Sequence, residues 1–215
     1  MFSRLLLGLL AIAFSASLHA QGRPLAGRDY VELQTQQPTE TGAKIEVIEF
    51  FWYRCPHCHA LEPTLTPWVG KLANDTQFRL VPAIFNDEWA LDARVFYALE
   101  ATGNLDRLHH ALLDAIHKQG GANLKGPTYM KWVSDWLAKQ SVDISKYDAA
   151  LRSFTVESKV KRAFQIAQSY RLEGVPALAV QGKYVISGEG RTMFAVADFL
   201  IAESRRVGAK KPPAK

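Results

Sequence analysis

The sequence predicts an α/β protein in which a mixed β-sheet is interrupted by an all-helical insertion. Three observations carry that prediction. Strand-like runs fall in two blocks, residues 29–85 and 175–186, while helical periodicity fills the stretch between them. Cys55 and Cys58, the two cysteines of the chain, directly follow an apolar strand and open a helix. Gln181-Gly182 between two short apolar runs is a hairpin signal that closes the second block.

The elements follow in order. Residues 1–20 read as an export signal: Arg4 supplies the positive start, residues 5–14 an apolar run too short to span a bilayer, and residues 15–20 small side chains before a cut after Ala20. Residues 29–34 are expected as an edge strand and 44–52 as the central strand. A helix starts near Pro56, with Leu61, Leu65, Trp68 and Leu72 on its buried face; Pro63 and Pro67 should kink or split it. Residues 78–85 form the next strand. Strand signals then stop. Leu91, Val95 and Leu99 mark a helix ended by Gly103. Asn104 is placed to cap the next, which carries Leu105, Leu108, Leu112 and Ile116 and stops at Gly120-Gly121. Pro127 suits the first turn of a third helix with Trp132, Val133, Trp136 and Leu137 inward, and residues 145–154 make a fourth. A long helix over 156–170 returns the chain to sheet at 175–180 and 183–186, and a last helix covers 192–206. This order is that of a thioredoxin fold with an all-helical domain inserted between its halves. The expected parts are a signal peptide (1–20), the first thioredoxin part (21–85), the helical insertion (86–154), the second thioredoxin part (155–206) and a flexible basic tail (207–215).

The composition, 48% hydrophobic and 22% charged, is that of a globular protein rather than a disordered one. The net charge of +5 does not mark a nucleic-acid binder. Setting aside Arg4 and the C-terminal Arg205, Arg206, Lys210, Lys211 and Lys215 leaves 20 bases against 21 acids. Export would place both cysteines in an oxidising compartment, where a disulfide persists.

In Cys55-Pro56-His57-Cys58 the two sulfurs sit at i and i+3 of a helical turn, close enough to form a small, reducible ring. A passive staple is disfavoured, because so short a loop removes little unfolded-chain entropy. Cys55 lies at the helix start, where unpaired N–H groups and the helix dipole favour a thiolate, so it is the expected nucleophile and Cys58 the resolving thiol. His57 can add a positive charge, and Pro56 fixes the first turn. The same residues followed by His59 also fit C-x-x-C-H, the attachment signature of c-type haem. The preceding buried strand and the proline argue against haem, and a zinc set from the cysteines, His57 and His59 is too confined to one turn. No cofactor or metal is therefore expected. His59 is expected to be an exposed helical residue, and His109, His110 and His117 to be solvated. Glu49 interrupts an apolar strand six positions before Cys55. Buried there, its pKa would rise, which suits a proton carrier for a buried thiol; a strand-end carboxylate facing water is the competing reading. In Gly174-Val175-Pro176-Ala177, Pro176 precedes a strand, and spacing alone favours an ordinary trans turn.

The run Glu49-Phe50-Phe51-Trp52-Tyr53-Arg54-Cys55-Pro56-His57-Cys58 resembles the active site of the DsbA family of periplasmic dithiol oxidases. Gly174-Val175-Pro176-Ala177 resembles that family's cis-proline loop, and residues 147–154 its neighbouring helix. The likeness spans nearly all of the chain after residue 20. It implies a thiol:disulfide oxidoreductase with Cys55 as nucleophile, Cys58 as buried partner, His57 as thiolate stabiliser, Glu49 as proton relay and Pro176 as the cis-proline. Val175, Pro176 and Pro56 would then contact substrate. It also implies a periplasmic monomer that oxidises exported polypeptides bearing free thiols and is reoxidised by a DsbB-like membrane quinone reductase. A reductase or isomerase of the same fold is the alternative, disfavoured by the Pro-His dipeptide and by the expectation of no preceding dimerisation domain. Arg54 and the helix prolines depart from the family pattern; Arg54 is expected to reinforce the thiolate.

Overall fold

The computed structural model describes residues 23–188 and 191–210. The export signal and its cut lie outside them, as do residues 211–215 of the expected tail.

The described strands are β1 (Val31–Glu32), β2 (Ile45–Phe51), β3 (Thr76–Pro82), β4 (Ala177–Val180) and β5 (Tyr184–Ser187), in the sheet order β1-β5-β4-β2-β3. The helices are α1 (Pro56–Val69), α2 (Asp87–Ala101), α3 (Leu105–Lys118), α4 (Gly126–Lys139), α5 (Ile144–Leu151), α6 (Phe154–Ser169) and α7 (Arg191–Lys210). β2 runs parallel to β3 and antiparallel to β4, with Glu49 opposite Leu80 on one side and Leu178 on the other. This is a thioredoxin-like sheet, and α2 to α5 lie between its two halves in the chain.

All seven residues of β2 are buried, because helices cover both faces of the sheet. Alternation along the strand sends Ile45 and Val47 towards α1 and α7, where they pack with Leu61, Leu65 and Leu200. Ile48 and Phe50 point the other way, into a cluster with Val156, Val160 and Ala163 of α6. Phe51 and Tyr53 continue into a third cluster that holds Cys55, Cys58 and the inner residues of α2 to α5, including Leu99, Leu112 and Leu137. The helical insertion and the cysteine turn therefore share one core. Emptying that core by Leu112→Ala would cost about 2–5 kcal/mol.

The β4–β5 hairpin turns through Gln181, Gly182 and Lys183, with Gln181 and Gly182 at positive φ (52° and 66°). A Cβ on residue 182 would stand 2.1 Å from the Gln37 carbonyl oxygen, so only glycine fits. Gln181 tolerates its conformation because it is anchored at both ends. Its side chain accepts from the Glu46 N–H at 2.9 Å, and its own N–H donates to the Glu46 carbonyl at 2.8 Å.

Four local expectations need correction. α1 is neither split nor ended by Pro63 and Pro67: both sit on its exposed side, where water can satisfy the freed carbonyls, while Leu61 and Leu65 hold the buried side. Asn104 stands at the N-terminus of α3 but makes no capping bond with its side chain. It donates to Thr102 and accepts from Arg107 instead. The helix expected over 145–154 ends at Leu151, and Ser153 caps α6 by accepting from Val156 N–H at 3.2 Å. Residues 207–210, expected as part of a flexible tail, continue α7.

Candidate active site

Cys55 is the N-cap of α1, with extended backbone (φ −80°, ψ 116°) and Pro56 in the first turn. Its sulfur occupies the place of a capping oxygen and accepts the Cys58 N–H at 3.4 Å. Both thiols are free. Cys55 is 5% exposed and Cys58 2%, so the turn buries both sulfurs and only slightly favours access to Cys55. Pro56 and His57 are exposed beside them.

The two thiols are electrostatically opposite. Hydrogen bonding from the Cys58 thiol lowers the Cys55 pKa to about 6. Burial opposes that shift, and the backbone N–H groups of Cys58 and His57 and the charge of His57 reinforce it. Burial raises the Cys58 pKa far above the ordinary thiol range, aided by its hydrogen bond to Cys55 and by the charges of Cys55 and Glu49. Glu49 is itself buried, and burial raises its carboxyl well above the ordinary range, with Glu62 and Cys55 adding repulsion. A buried carboxyl that holds its proton more tightly than usual thus stands within electrostatic reach of both sulfurs.

The Val175–Pro176 peptide bond is cis. The Val175 carbonyl lies across from Cys55, accepting its thiol hydrogen at 3.6 Å. Val175 is half-buried and Pro176 buried, and a groove lined by Glu173, Gly174, Val175, Pro176, Ser187 and Gly188 opens beside them. The structure therefore brings Cys55, Cys58, His57, Glu49, Pro56, Val175 and Pro176 to one end of the sheet.

Arg54 does something other than expected. Its guanidinium turns away from the thiols into the helical insertion, where it donates to Asp92 Oδ2 at 2.8 and 2.9 Å, to Glu88 Oε2 at 3.0 Å, and to the carbonyls of Glu88 and Leu124. Asp92 also accepts from Trp52 Nε1 at 2.8 Å and from the Tyr129 hydroxyl. With Trp52 stacked on Trp89 at 4.2 Å, this cluster clamps the approach to Cys55 onto α2 and α4. The signal for it was present in the sequence: Asp92 lies on the same stripe of α2 as Val95 and Leu99, an acid where an apolar residue belongs.

Of the histidines, His110 is exposed as expected, whereas His109 is buried and His59 and His117 are half-buried. His109 is buried, with Nδ1 3.0 Å from the Tyr53 hydroxyl. His117 Nε2 meets the Tyr53 carbonyl at 2.9 Å, and His110 pairs with Glu62. His59 is half-buried, stacks on His117 and bonds Asp114 at 3.1 Å. Helix α3 packs beside α1 and brings these partners in, which no local pattern announces. The haem reading of Cys55-Pro56-His57-Cys58-His59 loses its footing here, since Cys58 is sealed in the core and the His59 ring is engaged elsewhere.

A thioredoxin fold carrying an activated thiol and a buried partner at a helix N-terminus defines a thiol:disulfide oxidoreductase. The comparisons with known proteins narrow this. The family described as DSBA-like thioredoxin domain matches residues 72–200. The thiol:disulfide interchange protein DsbA of Azotobacter vinelandii is 41% identical over 183 residues, covering 83% of this chain and 84% of that protein. DsbA of Pseudomonas aeruginosa is 38% identical over 212 residues, covering 96% and 98%. The crystal structure of Pseudomonas aeruginosa DsbA superposes with a TM-score of 0.79 at 37% identity, covering 87% of this chain and 97% of that one. The chain belongs to the DsbA family of thiol:disulfide interchange proteins, and it is an enzyme of that class.

Proposed function

We propose that the protein is a periplasmic dithiol oxidase that donates a Cys55–Cys58 disulfide to exported polypeptides and is reoxidised by a DsbB-like membrane quinone reductase. The observation that carries this reading is the opposed tuning of the two thiols, with Cys55 held near a pKa of about 6 and Cys58 far above its ordinary value. A client thiolate attacks Cys55 Sγ and the Cys55–Cys58 bond breaks. Cys58 leaves as a poor, buried thiolate that must take a proton, and Glu49, whose pKa burial raises, is assigned as its donor. A second client thiolate then attacks the client sulfur of the mixed disulfide and expels Cys55 as a stable thiolate. Two electrons pass from the client dithiol to the cysteine pair.

Because the Cys55 thiolate exists only in the reduced protein, lowering its pKa favours reduction and makes the disulfide a stronger oxidant. Val175 and Pro176 line a groove, Pro56 is exposed beside Cys55, and all three are assigned to contact the client chain. Residues 86–154 are assigned as an inserted helical domain that shields the buried thiol, and residues 21–85 and 155–206 as the two thioredoxin parts. The equilibrium of the cysteine pair with glutathione tests the direction of flow. A potential well above the roughly −270 mV of a reducing thioredoxin is expected; a value near it would make the protein a reductase.

A further inference from the structure

The contact between α1 and α3 holds a group of ionisable side chains, none of which takes part directly in the thiol exchange. One potential ligand atom from each of Glu62, His109 and His110 lies within 4.8 Å of the others. Glu62 reaches across from α1 to meet His110 Nδ1 at 2.8 Å. Each of the inner two groups is already oriented. Thr66 Oγ1 donates to Glu62 Oε1, and the Tyr53 hydroxyl holds His109 Nδ1 at 3.0 Å, which leaves Nε2 as the ring nitrogen for a ligand. A bond such as that of Tyr53 to His109, made to the ring nitrogen away from the ion, fixes ring orientation in metal centres.

We propose that Glu62, His109 and His110 bind a single borderline-soft divalent ion of the Zn(II) class, joining α1 to α3 close to the cysteine turn. Two imidazoles and a carboxylate are a ligand set that such an ion accepts with water in the fourth position. Ligand bonds of 2.0–2.2 Å in a tetrahedron place the donor atoms about 3.4 Å apart. The Glu62–His110 pair, at 2.8 Å, must open slightly while spacings of up to 4.8 Å within the trio close, and His110 has freedom to shift, its side chain being 57% exposed. Entry is open along the groove that Glu62 and His110 line together with His59 and Asp114. An ordinary Glu62–His110 ion pair accounts for the 2.8 Å contact but gives the oriented His109 no part.

The test uses the disulfide form of the full chain, because free Cys55 and Cys58 would themselves take Zn(II). Calorimetric titration with Zn(II) should show one equivalent bound. Co(II) should give visible ligand-field bands without the near-ultraviolet charge transfer that a thiolate ligand produces. His110→Ala and Glu62→Gln, both at partly exposed positions, should each weaken binding by about tenfold or more with unchanged far-ultraviolet dichroism. Zn(II) should raise the melting temperature of the parent protein and not that of His110→Ala. His59→Ala should bind as the parent does. Absence of saturable binding, binding indifferent to His110→Ala, or binding abolished by His59→Ala alone would overturn the assignment. Should His110→Ala lose its fold, Glu62→Gln decides by the same criteria.

Discussion

Strand β2 carries two buried acids three residues apart, and their surroundings differ in every respect that matters. Glu46 is 1% exposed and Glu49 2%. Glu46 points to the α6 side of the sheet, where its Oε2 accepts from Arg79 Nη1 at 2.8 Å and from the Glu40 N–H at 2.7 Å. Glu49 points to the α1 side, and among the described residues its carboxyl has no ion-pair partner; its electrostatic neighbours are Glu62 and the cysteines. Glu46 is ion-paired and structural through Oε2, although its buried Oε1 has no hydrogen-bond partner. The other is driven to hold its proton. Equal burial leaves the two acids in different situations, because only Glu46 has an opposite charge to offset the cost of a buried carboxylate. Asp92 is likewise partnered, by Arg54, Trp52 and Tyr129, yet burial still raises its pKa and these partners only offset the shift.

The most forceful way to break this contrast is to strip a satisfied charge of its partner. Asp92→Ala leaves the Arg54 guanidinium buried with only its Glu88 and carbonyl contacts, and should destabilise the protein by about 3–5 kcal/mol in urea denaturation. A loss below about 1 kcal/mol would show that the clamp is dispensable.

Glu49→Gln should do the reverse, sparing the fold and slowing the proton-dependent step at Cys58 by about 100-fold, read from the pH–rate profile of mixed-disulfide formation. Its stability effect has a definite sign. A carboxyl whose pKa is raised by folding contributes stability below its unfolded value and loses it as pH rises through the folded value. Glu49→Gln should therefore gain stability relative to the parent as pH rises from 5 to 8. A constant difference across that range would mean that Glu49 ionises as freely in the fold as outside it.

Glu46→Gln sharpens the comparison from the other side. It weakens the bond to Arg79, which keeps Glu40 as a partner, so a loss of about 1–3 kcal/mol is expected in the same denaturation assay. Catalytic rates should be unchanged.

The smallest effect belongs to His57→Ser, since His57 stands last among the groups that lower the Cys55 pKa. The thiolate absorbance midpoint should rise from about 6 by less than one unit. The potential should become more reducing by roughly 30 mV per unit. Reduced protein gains stability from the depressed Cys55 pKa, fully above the unfolded thiol value and fading as pH falls through about 6; the variant should lose part of that gain. A shifted pKa with an unshifted potential would sever the link between thiolate and oxidising power.

Much of the fold was legible because its signals are local. The apolar run of β2, the Gln181-Gly182 hairpin and the spacing of Leu91, Val95 and Leu99 each report a nearest-neighbour preference. Element ends were less so: β3 stops at Pro82, and residues 207–210 stay helical, because pairing and packing set those limits. Within the site, the proximity of Cys55 to Cys58 and the break that Glu49 makes in its strand are visible in a string of letters. The turning of Arg54 toward Asp92, 38 residues away, is not.

By itself the sequence determined the order of strands and helices, the cysteine turn at a helix start and the presence of a carboxyl in an apolar strand. These depend on backbone preference and periodicity, which act over a few residues. Only the tertiary structure decided that Glu46 meets an arginine while Glu49 does not, that Arg54 serves the clamp rather than the thiolate, and that His109 is buried against Tyr53. Those outcomes rest on desolvation and on charge pairs between distant segments, and both quantities exist only once the chain has closed around them.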